Sequence, residues 1–227
     1  MSLRTIISIL KLTSSGTARI SQVSEDSGVA MDRVEAIIAD LSEGGLVDVR
    51  EVFVETSGEQ KIRLAIAALK EGGDLEEACR YLGWKDFEDI AVLALESNSF
   101  IARKNVRFKE RDKRYEIDVL GLREPVILSI DCKHWKRSWQ RAATVRFVEA
   151  QVHRTEALTR ILPMLGDKLP TGGWNRAEVL PVVLTLSETP FKVCQGVPVV
   201  PVFRFRGFLQ EMSTYVDSLK VFRISLT

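Results

Sequence analysis

Apolar residues recur at helical spacing in three short runs near the N-terminus. Leu3, Ile6, Ile7 and Leu10 predict a helix over residues 3–12. Ile20 and Val23 predict a second over 19–26, followed by a tight turn at Gly28. Val34, Ile37, Ile38 and Leu41 form one stripe of a third, over 31–42, which Gly44 and Gly45 end. Two strand-like segments, LVDVREVFVET and KIRLAIA, then flank Ser57-Gly58 and predict a hairpin. The stretch IAALKEGGDLEEACRYLG reads as a connector, broken at Gly72-Gly73, with Asp74 capping a short helix through Cys79 and Leu82.

The pattern changes after residue 83. KDFEDIAVLALESNSF reads as a helix with Phe87, Ile90, Ala91, Ala94 and Leu95 inward. FIARKNVRFKE and YEIDVLGL predict a hairpin around a charged turn, and REPVILSIDCKHW a further strand. Residues 138–165 predict a long amphipathic helix with Val145, Val148, Val152 and Leu158 inward, interrupted at Pro163. VLPVVLTLS is a buried strand, and VPVVPVFRF a strand whose prolines suggest an edge. FLQEMSTYVDSL closes the series as a helix, with KVFRISL a candidate terminal strand. The expected architecture is an α/β mixed sheet flanked by helices over 84–227. Before it, over 1–83, comes an α+β winged helix-turn-helix domain with a connector helix.

Charge sharpens this division. Residues 1–82 hold 9 Lys+Arg and 14 Asp+Glu, a balance of −5, against 23 and 17 in residues 83–227, a balance of +6. A polyanion prefers the second part. The third helix, AMDRVEAIIADLSEG, has one Arg and four acids. DNA contact through it and binding of a protein partner therefore stay equally open. No segment reaches the roughly eighteen uncharged apolar residues of a membrane helix. The N-terminus lacks the small-residue cleavage site of a signal peptide. The three widely spaced cysteines, Cys79, Cys132 and Cys194, do not suggest a disulfide framework or a zinc site. A cytoplasmic setting is expected. With only two histidines in the chain, a hard ion with oxygen ligands suits it better than a soft one.

Strand alternation then brings candidate chemistry together. Along 126–133, Val126, Leu128, Ile130 and Cys132 point one way and Ile127, Ser129, Asp131 and Lys133 the other. In the preceding strand, Glu116 and Asp118 are expected on one face and Tyr115, Ile117 and Val119 on the other. Pairing the strands can set Asp118 beside Asp131, with Glu88 leaning over the same strand ends from its helix. Two carboxylates that close repel each other, and a divalent cation relieves the conflict. Mg²⁺ suits such a site because it keeps waters and binds substrate phosphate. Lys133 can orient the attacking water or offset charge on the phosphate. The backbone carbonyl of Cys132 is a further candidate ligand.

These residues, in WKDFEDIAVLALESNSF, EIDVLG and ILSIDCKHW, resemble the PD-(D/E)xK, or restriction-endonuclease-like, nuclease superfamily. A winged helix before that core resembles the Mrr-like restriction endonucleases. The resemblance covers about residues 84–210 for the nuclease part and 3–65 for the winged helix. It implies a metal-dependent DNA endonuclease with Glu88, Asp118, Asp131 and Lys133 catalytic. It also implies Mg²⁺ as cofactor, with Mn²⁺ as a substitute, and a homodimer where both strands are cut. Ile117 stands where the family has Pro, and Asp131 where Glu is more frequent. Gln151 falls on the helix where some members carry a glutamine near the site, but Thr155 replaces the tyrosine that often follows.

Basic residues flank the motif. Arg103, Lys104 and Arg107 in the hairpin, and Lys136 and Arg137 after it, are expected to contact nucleic acid together with Gln151. His134 reads as a phosphate contact or a structural residue. Two alternatives remain open: a non-catalytic nucleic-acid-binding or scaffold protein that keeps the fold, and a structure-specific nuclease of the Holliday-junction-resolvase kind.

Overall fold

The computed structural model describes residues 2–74, 77–78, 80–133, 141–165, 168–186 and 189–226. It divides into two compact units, Met1–Ile90 and Ala91–Thr227. The division falls inside a helix, later in the chain than the boundary expected at 83/84.

The first unit begins with α1 (Leu3–Leu12), β1 (Ala18–Arg19), α2 (Ile20–Ser27) and α3 (Met31–Glu43). Helix α1 packs on α2, and α2 on α3. Ile6, Ile9, Leu10, Val23, Val34, Ile38 and Leu41 fill the core between them. Gly28 ends α2 in the left-handed region at φ 65°, where its N–H donates to the Ser24 carbonyl, a conformation that disfavours a side chain. Strands β2 (Asp48–Arg50) and β3 (Phe53–Glu55) form a tight hairpin, and β1 joins it in the order β1-β3-β2.

The expected hairpin around Ser57-Gly58 is not formed. KIRLAIA lies within helix α4 (Gly58–Lys70), which packs on α1. Ser57 Oγ accepts the Gln60 N–H, and the Gln60 side chain accepts the Ser57 N–H. This reciprocal cap fixes a helix start, and the apolar run behind it buries Ile62, Leu64, Ala65, Ala67 and Ala68. The hairpin turn lies earlier, at Glu51 and Val52. Asp74 Oδ1 accepts the Glu77 N–H as expected of a cap, while Cys79 lies outside the described residues.

Helix α5 (Trp84–Glu96) is followed by β4 (Ile101–Glu110), β5 (Lys113–Arg123), β6 (Val126–Lys133) and the long α6 (Arg141–Ile161). Next come β7 (Arg176–Thr185), β8 (Val193–Cys194), β9 (Val197–Pro201), α7 (Phe205–Glu211) and β10 (Phe222–Ser225). The strands form one mixed sheet, β4-β5-β6-β7-β9-β8, with β10 paired to β7. β4/β5 and β5/β6 are antiparallel, while β6/β7 and β7/β9 are parallel. The fold is mixed α/β. Strand β9 is not an edge, because two-residue β8 lies outside it and Val193 pairs with Pro198. The segment expected as a last helix over 208–219 is broken into α7 and single 3-10 turns. No described helix is long and apolar enough to cross a membrane.

Helix α6 covers one face of the sheet. Its Ala157 and Leu158, with Leu162 of the turn that follows, join Tyr115, Ile117, Leu120, Leu122, Ile127 and Val179 in one buried cluster. Its Val148 joins Val183, Val197 and Val199 in another. On β5, Gly121 leaves room for Leu95 of α5, since a Cβ at 121 would lie 2.6 Å from Leu95 Cδ2.

Candidate active site

Strands β5 and β6 stay paired only as far as Val119↔Ile130. Asp118 and Asp131 come next in that register, at the point where the two strands part. The alternation of β6 matches expectation here: Ile127, Ser129 and Asp131 lie toward α6. That of β5 does not. Ile117 and Leu120 belong to one cluster under α6 although they are three positions apart. The strand therefore changes face between them, at Asp118. Strand β4 is irregular at the same point, where Asn105 takes φ 52° and the Asn105/Asp118 pair is missing from an otherwise continuous register. Asparagine tolerates this left-handed conformation.

Asp118 fills the gap left by the parting strands. Its Oδ2 accepts the Cys132 N–H at 2.7 Å, a ladder bond supplied by a side chain. In a strand, N–H and C=O of one residue serve the same neighbour, so the Cys132 carbonyl leans toward the same gap. The Cys132 side chain is fully buried in the core.

Asp131 is only 4% exposed and meets two cations. Lys133 Nζ lies 2.7 Å from Oδ2 as an ion pair without the alignment of a hydrogen bond. Arg154 of α6 donates from Nη2 to Oδ1. Burial pushes the Asp118 carboxyl up to about 6, and the charge of Asp131 adds to the rise. The Cys132 N–H, Lys133 and Arg154 oppose it. The site is thus a compact group of two acids and two bases at the end of a sheet.

Arg154 is a residue that the sequence reading missed. Its signal was its place three positions after Gln151, on the border of a buried helical stripe. Gln151 is fully buried. Its Nε2 donates to the Ser129 carbonyl at 2.6 Å and to Ser129 Oγ at 3.1 Å. Its Oε1 accepts from Arg154 Nε at 3.0 Å. Thr155 adds a hydrogen bond to Ser129 Oγ at 3.0 Å. The expected contact of Gln151 with nucleic acid is therefore corrected: its amide is spent inside the helix–sheet interface, beyond reach of a polymer in solvent.

Glu88 is also buried, at 4% exposure, in the part of α5 that belongs to the first unit. Among the described residues, no three of Asp, Glu, His and Cys gather as a metal-binding group.

The hairpin cations are divided rather than pooled. Arg103 pairs opposite Leu120 and falls on the α6 side, whereas Lys104 and Arg107 fall on the other. Arg107 is exposed and forms a two-pronged bond to Glu116, at 3.0 and 3.3 Å. Lys136, Arg137 and His134 lie outside the described residues. A separate cavity of about 550 Å³ beside β9 and α7 is walled by Phe191, Phe203, Phe208 and Tyr215, and none of the site residues lines it.

No protein-family profile matches the chain. An uncharacterised protein of Archaeoglobus fulgidus is 27% identical over 133 residues, which span 59% of this chain and 94% of that one. Among solved structures, the protein of unknown function AF1548 aligns over 53% of each chain at 18% identity with a TM-score of 0.29. VC1899 of Vibrio cholerae aligns over 95% of this chain and 52% of its own at 12% identity, with a TM-score of 0.40. The chain spans about half the length of each of these two structures. Likeness at these levels names no activity, and the chemistry rests on the site's own residues.

Proposed function

We propose that this chain is a Mg²⁺-dependent DNA endonuclease, with a restriction-endonuclease-like domain behind a winged helix. The observation that carries the reading is the pair Asp118 and Asp131, set against each other at the parting of β5 and β6 with Lys133 alongside. The elevated Asp118 carboxyl and the unaligned Oδ2 of Asp131 fit a divalent cation there. Asp118, Asp131 and the Cys132 carbonyl would hold it, with Mn²⁺ as a substitute. When bound, Mg²⁺ polarises the phosphoryl oxygens and lowers the pKa of its own water.

The chain's residues supply the rest. Lys133 is 21% exposed at its side chain, so it can leave Asp131 and donate to a phosphate oxygen where charge builds up. The Cys132 N–H fixes the Asp118 carboxylate in place. DNA as substrate follows from the family resemblance and from the positive balance of residues 83–227. In the first unit, the element order and the three-stranded β1-β3-β2 sheet support the winged-helix reading. Acid-rich α3 suits a protein partner or a second copy of the chain as well as DNA.

The test is incubation with supercoiled plasmid and Mg²⁺, which should yield nicked or linear product. Asp131→Ala and Lys133→Ala should lose that product while remaining folded. Intact substrate across duplex, branched and single-stranded DNA, with both Mg²⁺ and Mn²⁺, would sink the proposal. One observation favours a second reading: Arg154 and Lys133 already neutralise Asp131, as in a scaffold with no need of metal. A scaffold would gain no thermal stability from divalent cations.

A further inference from the structure

We propose that Arg154 is a placeholder at the metal site that becomes a substrate-phosphate ligand once a divalent cation takes Asp131. This rests on the nuclease reading and names a residue that reading does not contain. Three features of the structure carry it.

The first is the way the guanidinium is held. Arg154 Nε donates to Gln151 Oε1 at 3.0 Å while Nη2 donates to Asp131. The two anchors differ in kind. Gln151 is fixed, because Ser129 takes its Nε2 at 2.6 Å and the residue is sealed from solvent. Asp131 is a charged partner that a cation can claim. Loss of the Nη2 bond leaves Arg154 tethered through Nε, with the rest of its planar fork facing outward. That fork matches two phosphate oxygens at once.

The second is access. The Arg154 side chain is 24% exposed and that of Asp131 5%. An approaching polyanion meets the cation before it meets the acid.

The third is cost. Ser129, Gln151 and Thr155 are all fully buried and bonded to one another. Burying such a network gives little stability over apolar packing, and its return is a fixed geometry. The Gln151 oxygen that holds Arg154 leads from this network to the site. Arg154 is therefore a substrate-contacting residue, and Gln151 and Ser129 are positioning residues that act through it.

The consequence is a pair of effects of opposite sign. Removing Arg154 removes a competitor for Asp131 and also removes a phosphate contact. The full chain is compared as wild type, Arg154→Gln and Arg154→Lys. Mn²⁺ binding without DNA is followed by calorimetry. Binding of a short fluorescent duplex with Mn²⁺ present is followed across a salt series, in a Lys133→Ala background that keeps the DNA intact. Arg154→Gln should bind Mn²⁺ about tenfold tighter, the scale of one charge-assisted contact. It should bind duplex about tenfold more weakly, with a salt slope smaller by about one. Arg154→Lys keeps the charge and loses the fork, so its Mn²⁺ affinity should stay near wild type and its DNA affinity fall in between. It also guards against a result that reflects misfolding alone. If wild type binds Mn²⁺ and cleaves while Arg154→Gln changes neither Mn²⁺ affinity nor salt slope, the assignment falls and Arg154 is a fixed clamp. If neither wild type nor Arg154→Gln binds Mn²⁺, the metal-dependent reading falls too.

Discussion

Two buried aspartates, Asp86 at the start of α5 and Asp131 at the end of β6, are surrounded in different ways. Asp86 is 8% exposed. Its Oδ2 accepts the Gly83 N–H at 2.7 Å, and Lys61 Nζ stands 4.0 Å away. A carboxylate in the first turn satisfies an orphan donor and complements the helix dipole. That accounts for Asp86 as a helix cap, with Lys61 of α4 nearby. Asp131 has no such local role. Its partners come from β6 itself and from α6, and the neighbouring Asp118 opposes it. A buried acid that finishes a helix is architecture. A buried acid set against another acid and held by two bases is more than stability asks for, and such groups concentrate at functional sites.

The contrast is broken most directly by substituting each aspartate in turn. Asp131→Ala should lower plasmid cleavage by about a hundredfold or more, the scale of losing one electrostatic group in a catalytic site. Asp86→Ala should leave the cleavage rate unchanged and cost about 1 kcal/mol of stability, as a lost cap does. Equal losses of activity in both would erase the distinction.

The structural role of Asp86 can be sharpened from its neighbour. A Cβ at Gly58 would stand 2.7 Å from Asp86 Oδ1. Gly58→Ala should therefore push the carboxylate off Gly83 and cost about 1–2 kcal/mol in a urea titration. An unchanged midpoint would mean that the cap contributes nothing.

The remaining comparison concerns pH. In the metal-free protein the Asp118 carboxyl rises from 3.8 to about 6. The folded chain thus holds this proton more tightly than the unfolded chain. Stability falls as pH rises through that window and levels off above it. Asp118→Asn keeps an acceptor for the Cys132 N–H and removes the charge. It should raise the melting temperature at pH 7, by up to about 3 kcal/mol in stability, with the gain vanishing near pH 4. For wild type, stabilisation by Mg²⁺ should weaken below pH 6, where Asp118 takes up its proton. A pH-independent difference between the two proteins would place the cause elsewhere.

Much of this molecule was legible from local pattern. Helix α1 is read directly from its apolar spacing, since one face of a helix must be buried wherever the helix lies. The hairpin of β4 and β5, strand β6 and the shared face of Asp131 and Lys133 follow from a period of two. The same rule failed for β5, which changes face at Asp118, opposite the positive φ of Asn105 in β4. It failed for KIRLAIA, where a capping box outweighs the alternation of Ile62, Leu64 and Ile66 with other residues.

Sequence alone determined which residues can carry charge chemistry and on which elements they sit. Tertiary structure decided which of them meet. It parted β5 from β6 at the two aspartates, so that a side chain completes the ladder. It sealed Gln151 in the interface and brought Arg154 to Asp131 across 23 positions of chain. The physical reason is range: caps, periods and turns act over a few residues, whereas burial and charge pairing depend on which surfaces the whole fold presses together.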